Sequence, residues 1–428
     1  MRLVLISLDA CAGDDAQALL ALPNIQRLTE QSVFCSNVET VYPTLTYPIH
    51  TSILTGCYPD KHGIGHNEIF DPDDLEAPRP WHWDEKDIRV PTLLNAAYRA
   101  GRETAALLWP VTGRSKSIRY NFPEVLALPG ENQVLKVLRY GSFGWLIKNE
   151  IKWGKTRVST QQPHLDRYAT LLAKNLILRE YAPESPEFLG SEVCPSKRRM
   201  RMRMPDVMAL HLVDADAMKH QYGVGSQESI AAYRRLDEAV GAIVKTLEYR
   251  AALKDTVVCV VSDHGQREVK ESVRINKLLK ENGVPAKAQT LGFGAYIDVD
   301  RPHYSAVYEY LKQNMQTYRI SHVYSREELR ALHAPDEVLL AVEAQDGVEI
   351  LDNDEAEAHK STHGFGLHVP QARTLLWLSG PIFKKNVCLE RARVVDIAPT
   401  LAEAIGLPFG PCDGRVLKEA FVRDSDVI

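Results

Sequence analysis

The feature that most constrains this chain is a set of short, nearly uninterrupted apolar runs, each followed closely by an acid or an imidazole. Residues 3–8 lead directly into Asp9, residues 206–213 into Asp214 and Asp216, and residues 256–261 into Asp263-His264-Gly265. Apolar runs of this length, rich in β-branched side chains, are strands buried on both faces. Residues 104–109 and 374–379 carry the same pattern, and helical periodicity fills the intervals at 23–31, 92–100, 226–249 and 394–405. Alternation of this kind predicts an α/β fold, a doubly wound and mostly parallel sheet flanked by helices, forming one catalytic domain over 1–428.

Two stretches break the alternation. Residues 130–205 contain Trp145, Trp153 and an amphipathic helix near 163–180, with few strand signals. Residues 267–355 read as an inserted α+β cap, with helices at 275–281 and 303–313 and strands at 294–299 and 348–351. Its ends lie beside His264 and His363, so it is expected to cover the site and shape leaving-group selection. Its removal is expected to leave the candidate ligands largely in place.

Ligands in open α/β sheets gather beyond the carboxyl ends of the strands. That places Asp9, Asp216 and Asp263-His264 in one region. His220 follows Asp216 by four residues, on the same face if a helix begins there, and a late Ser361-Thr362-His363-Gly364-Phe365-Gly366 segment adds another imidazole. A single strand-end Asp is ordinarily a helix cap. Three Asp and three His together form a mixed N and O donor set that suits zinc or a similar divalent cation, with enough ligands for two ions. Thr46, two residues before Pro48, is placed at or beside a helix N-terminus, where free N–H groups attract an anion. Beside a cation its hydroxyl becomes a nucleophile.

Composition limits the partners. The 51 Lys and Arg against 56 Asp and Glu give a formal charge of −5, which supplies no global field for nucleic acid. The basic run at 197–203 reads as a solvated loop, with an anion-steering edge as the alternative. No window has the length of a membrane span, and no charged segment precedes the first apolar run, so a cytoplasmic chain without a membrane partner is expected. Seven scattered cysteines without CxxC spacing fit reduced thiols.

Thr46-Tyr47-Pro48-x-His50, Thr55-Gly56-x-Tyr58-Pro59-x-x-His62-Gly63-Ile64, Asn67, Asp216-x-x-x-His220, Asp263-His264-Gly265, His363-Gly364 and the closing Asp396-Ile397-Ala398-Pro399-Thr400-Leu401 resemble the nucleotide pyrophosphatase/phosphodiesterase branch of the alkaline phosphatase superfamily. The resemblance implies one zinc held by Asp216, His220 and His363, and a second held by Asp9, Asp263 and His264 with Thr46 bridging toward it. It further implies that Asn67 and the Thr46 backbone N–H donate to the non-bridging phosphoryl oxygens. The activity implied is metal-dependent hydrolysis of a phosphodiester or pyrophosphate P–O bond in a small nucleotide-type substrate, through a phosphoryl- or nucleotidyl-threonine intermediate. Tyr47 is expected to stack on the substrate's planar group, favouring diesters over monoesters.

Ala10, Ile49 and His211 depart from the residues usual in that branch, and His211 bears on how the leaving group is held. Thr46 and the lack of a Cys-x-Pro-x-Arg pattern disfavour sulfatase chemistry. Phosphonoacetate hydrolases are similar in the ligands, the threonine and a His-Gly-Ile-x-x-Asn run like that of His62 to Asn67, but cleave a P–C bond. A non-catalytic binder of phosphate esters is the rival from another class, and it would need no nucleophile.

Overall fold

A computed structural model describes residues 1–179 and 203–423. Cys194 and nearly all of the basic run at 197–203 lie outside the described residues. The central sheet has nine strands. Its order is Val387–Cys388, Ser32–Glu39, Arg373–Ser379, Thr256–Ser262, Arg2–Leu8, Val207–Leu212, Thr104–Leu107 and Tyr120–Phe122, with Ala392–Arg393 also pairing on Ser32–Glu39. Arg2–Leu8 is parallel to both of its neighbours, with Leu3 opposite Val207 and Val257.

Arg2–Leu8 is covered on both sides, as its uninterrupted apolar run requires. Val4, Ile6 and Leu8 point into one core with the helices Pro23–Glu30, His164–Ile177 and Gln227–Tyr249. Leu3 and Leu5 point into the other, with Thr46–Thr55 and Ile397–Ile405. The sheet is mixed: Arg373–Ser379 runs antiparallel to both Ser32–Glu39 and Thr256–Ser262. Ser32–Glu39 has no apolar run to announce it, because Ser36 and Asn37 are exposed near the sheet edge. The 104–109 run ends as a strand at Leu107, since Leu108 takes a positive φ of 54°. Among the described residues, no helix is long and apolar enough to cross a membrane.

Residues 287–344 build a four-stranded antiparallel sheet of their own, ordered Ile320–Tyr324, Leu340–Ala344, Gly294–Asp298, Lys287–Thr290. With Tyr304–Gln313 and Ile275–Glu281 it encloses a separate apolar core. This unit touches the chain around Thr46 directly: Tyr42 packs against Tyr296 and Tyr324, and the His66 ring bonds the Thr290 carbonyl at 2.8 Å. It also supports His363, whose carbonyl accepts from Phe293 N–H at 3.0 Å. The insert therefore has its own core yet shares a backbone contact with the turn that carries His363.

Candidate active site

Six strand-end or turn residues converge into two adjacent clusters. Asp216, His220 and His363 form one, and Asp9, Asp263 and His264 the other; within each, the donor atoms all lie within 4.8 Å of one another. The helix Asp214–Tyr222 begins at the end of Val207–Leu212, so Asp216 and His220 share a face, with Oδ1 and Nε2 3.3 Å apart. The clusters meet where the rings of His264 and His363 stack at 4.0 Å. Asp214 leaves the site: its backbone N–H donates to Asp166 and its carboxylate pairs with Arg235.

The backbone fixes which nitrogen each imidazole offers. His220 Nδ1 donates to Ser361 O at 2.8 Å, His363 Nδ1 to Thr44 O at 3.0 Å, and His264 Nδ1 to Gly265 O at 3.2 Å. A carbonyl can only accept, so each Nδ1 carries a proton, and wherever the ring is neutral its Nε2 presents a lone pair. Those lone pairs face carboxylates. His264 Nε2 lies 3.3 Å from Asp263 Oδ2 and 3.6 Å from Asp9 Oδ1, and both of these oxygens are buried without a hydrogen-bond partner. Acceptors converging on one another in a buried space call for a cation between them, and mixed imidazole and carboxylate donors suit zinc or a similar ion.

Electrostatics agree. Burial pushes the Asp9 carboxyl well above its usual range, with Asp263 and Asp216 adding to the rise. Burial raises Asp263 to about 6 and lowers His264 to about 4. Burial, helped by His264 and His220, also holds His363 well below the ordinary histidine value. Asp9 and Asp263 resist carrying bare charge side by side, whereas Asp216, despite its burial, is held below the usual carboxylate range by His220, His363 and His264. His264 and His363 are neutral donors.

Thr46 is the first residue of the helix Thr46–Thr55, after Leu45 in extended conformation. Its Oγ1 lies 3.2 Å from His264 Nε2. Asn67 accepts from Tyr47 N–H through Oδ1 at 2.9 Å, which leaves its NH2 group as the free donor. The Thr46 N–H, at the helix start, has no intrahelical acceptor.

Tyr47 is corrected as a substrate-facing ring. It is completely buried, its edge set against Trp81 with centroids 5.2 Å apart and Trp83 in the same apolar cluster. Adjacency to Thr46 in sequence does not bring the ring to the site, because successive helix residues point about 100° apart.

Three residues beside the site have roles that only the fold reveals: Gln266, which carries no sequence signal, and His50 and His211, whose contacts the sequence does not give. Gln266 Nε2 bonds Asp216 Oδ1 at 2.6 Å. His50 Nδ1 donates to Thr46 O at 2.8 Å. His211 is wholly buried, with Nε2 2.9 Å from Asp9 Oδ2 and Nδ1 3.0 Å from Leu108 O, so it braces Asp9.

Residues 3–366 match the model of a family described as type I phosphodiesterase / nucleotide pyrophosphatase. The Bis(5'-adenosyl)-triphosphatase ENPP4 of Pongo abelii is 22% identical over 434 residues, spanning 96% of this chain and 80% of its own length. Ectonucleotide pyrophosphatase/phosphodiesterase family member 1 of Homo sapiens is 26% identical over 311 residues, 69% of this chain and 27% of that protein. The solved structure of murine ENPP5 superposes with a TM-score of 0.73 at 18% identity, covering 99% of this chain and 100% of that one.

Proposed function

Given that the chain belongs to the type I phosphodiesterase / nucleotide pyrophosphatase family and is a hydrolase of that class, we propose that it cleaves a phosphodiester or pyrophosphate P–O bond with Thr46 as nucleophile beside a two-cation centre. The observation that carries the reading is the position of Thr46 Oγ1: at a helix N-terminus, 3.2 Å from His264, where two acid and imidazole clusters meet. Asp216, His220 and His363 would hold one divalent cation, and Asp9, Asp263 and His264 the other, zinc being the best match to the donors. Bound there, such ions supply Lewis-acid charge, acidifying a hydroxyl and neutralising developing oxyanions.

Thr46 Oγ1 loses its proton to solvent and attacks phosphorus. The Oγ1–P bond forms as the P–O bond to the departing group breaks in line, and that group leaves as an oxyanion that takes up a proton from water. Asn67 NH2 and the Thr46 backbone N–H donate to the non-bridging oxygens, whose charge grows in the transition state. Water then cleaves the phosphoryl- or nucleotidyl-threonine ester and restores the hydroxyl. A nucleotide-type diester is supported by the name of ENPP4 and by a murine ENPP5 structure solved with AMP. The insert, which anchors His363 and packs beside Tyr42, is placed to influence which leaving groups are accepted.

The test is a side-by-side assay of a nitrophenyl phosphodiester, the matching monoester and phosphonoacetate with zinc supplied. Fastest turnover of the diester supports the reading. Cleavage of phosphonoacetate alone would move the assignment to P–C hydrolysis.

A further inference from the structure

Lys219 stands out because it is a lysine with no exposed surface at all, a condition that lysine side chains rarely meet unless paired. It lies on the helix Asp214–Tyr222, three residues after Asp216 and one before His220. Its Nζ turns away from solvent and donates to Asp15 Oδ2 at 2.9 Å and to the carbonyl of Ala10 at 2.6 Å. Asp15 is itself fully engaged, accepting from Ala12 N–H at 2.8 Å and from the Tyr233 hydroxyl at 2.5 Å.

Ala10 is the residue immediately after Asp9, and it adopts a left-handed conformation with φ of 58°. That conformation aims its two peptide groups in different directions: the N–H donates to Asp263 Oδ1 at 3.1 Å, while the C=O receives Lys219. One strained residue is thereby clipped between the two clusters. Its N–H serves the Asp9, Asp263 and His264 side, and its carbonyl is held by the helix that carries Asp216 and His220. The backbone of Lys219 extends the same link, since Ser361 Oγ lies 2.7 Å from Lys219 O and Ser361 O accepts from His220.

We propose that Lys219 is a positioning residue that fixes the separation of the two cation sites, by holding the Asp216 and His220 helix to the Ala10 carbonyl next to Asp9. The inference rests on the two-cation reading. The role differs from that of a stabilising ion pair, because the bond that matters runs to a backbone carbonyl adjoining a ligand. Asp15 pairs with the ammonium and aims it at the Ala10 carbonyl.

The experiment compares the full-length wild type with Lys219→Met and with the double variant Lys219→Met/Asp15→Asn, which removes both buried charges. Each metal-free protein is titrated with Zn2+ against a competing chelator, its Co2+ adduct is recorded by visible absorption, and its thermal unfolding is followed. Lys219→Met strands the Asp15 carboxylate and should lower the unfolding temperature, whereas the double variant should recover much of that loss. In both variants one of the two Zn2+ equivalents should bind about 10- to 100-fold more weakly, with an altered Co2+ spectrum and a fall in kcat larger than any rise in KM. Recovery of wild-type Zn2+ affinity and Co2+ spectrum in the double variant would overturn the positioning role and leave only an ion pair. Failure of the wild type to bind two equivalents would instead overturn the two-cation reading itself.

Discussion

The Nδ1 of His363 and the carbonyl of Thr44 are joined by a 3.0 Å hydrogen bond. Thr44 lies two residues before Thr46, so a candidate ligand and the candidate nucleophile share one support. Gly364 N–H also donates to Thr44 O, at 3.2 Å. The chain entering the helix Thr46–Thr55 is thus held in place by the turn that carries His363.

That turn depends on Gly364. Its φ is 80°, and a Cβ there would lie 1.5 Å from the Leu291 carbonyl oxygen. Gly364→Ala should displace His363 and weaken one cation equivalent by at least about tenfold, the range seen when support for a ligand is lost. Chelator competition on the purified variant measures this. Unchanged affinity would show that the turn adjusts without moving the imidazole.

Tyr47 is now predicted to act through packing. Truncating a fully buried aromatic leaves a cavity, so Tyr47→Ala should cost about 3–5 kcal/mol of stability. Tyr47→Phe keeps the ring and loses only a 3.4 Å contact to the Glu124 carbonyl, so it should cost no more than about 1 kcal/mol. Denaturant unfolding of the two variants separates the cases. A stable Tyr47→Ala protein with altered substrate preference would return the ring to the substrate.

The strand and helix pattern and the six candidate ligands were legible because their signals are local. A continuous apolar run marks a strand buried on both faces, and a polar residue straight after it marks the ligand end of the sheet. Ser32–Glu39 was not legible, because a strand near the edge can expose Ser36 and Asn37 and lose its apolar signature. Burial of Tyr47 and the roles of Lys219, Gln266 and His211 were hidden for a different reason. Each depends on contacts between distant parts of the chain, such as Lys219 with Ala10 or His211 with Asp9.

His62 supplies a pH dependence away from the ligands. Burial lowers it to about 3 from an ordinary 6.5, and Ile64 N–H donates to its Nδ1 while Nε2 faces Ser52 Oγ at 2.9 Å. The folded protein keeps this ring neutral, whereas the unfolded chain protonates it below about 6.5. The unfolded state then binds the extra proton, so this contribution is present above pH 6.5 and is lost as pH falls toward 3. In unfolding measured from pH 7.5 to 5, His62→Asn should flatten the acid slope by up to about 1.4 kcal/mol per pH unit. An unchanged slope would contradict a neutral, buried His62.

Ala10 tests whether backbone strain is held at the site. A non-glycine residue in the left-handed region costs about 1–2 kcal/mol, partly offset by the unfolded-state freedom that glycine brings. Ala10→Gly should therefore leave stability unchanged or raise it by up to about 1 kcal/mol, with both bonds of the Ala10 peptide groups retained. A clear loss of stability would show that the methyl group, buried in the structure, matters more for packing than for strain.

The most direct measurement is made on Thr46→Ala: cation content by elemental analysis and turnover of an aryl phosphodiester, side by side with the wild type. The account predicts about two equivalents of a divalent cation in both proteins and a fall in kcat of several orders of magnitude in the variant. Mass spectrometry of the acid-quenched wild type should show a phosphoryl or nucleotidyl adduct on the peptide containing Thr46. Near-normal turnover by Thr46→Ala, with no adduct in the wild type, would contradict the account.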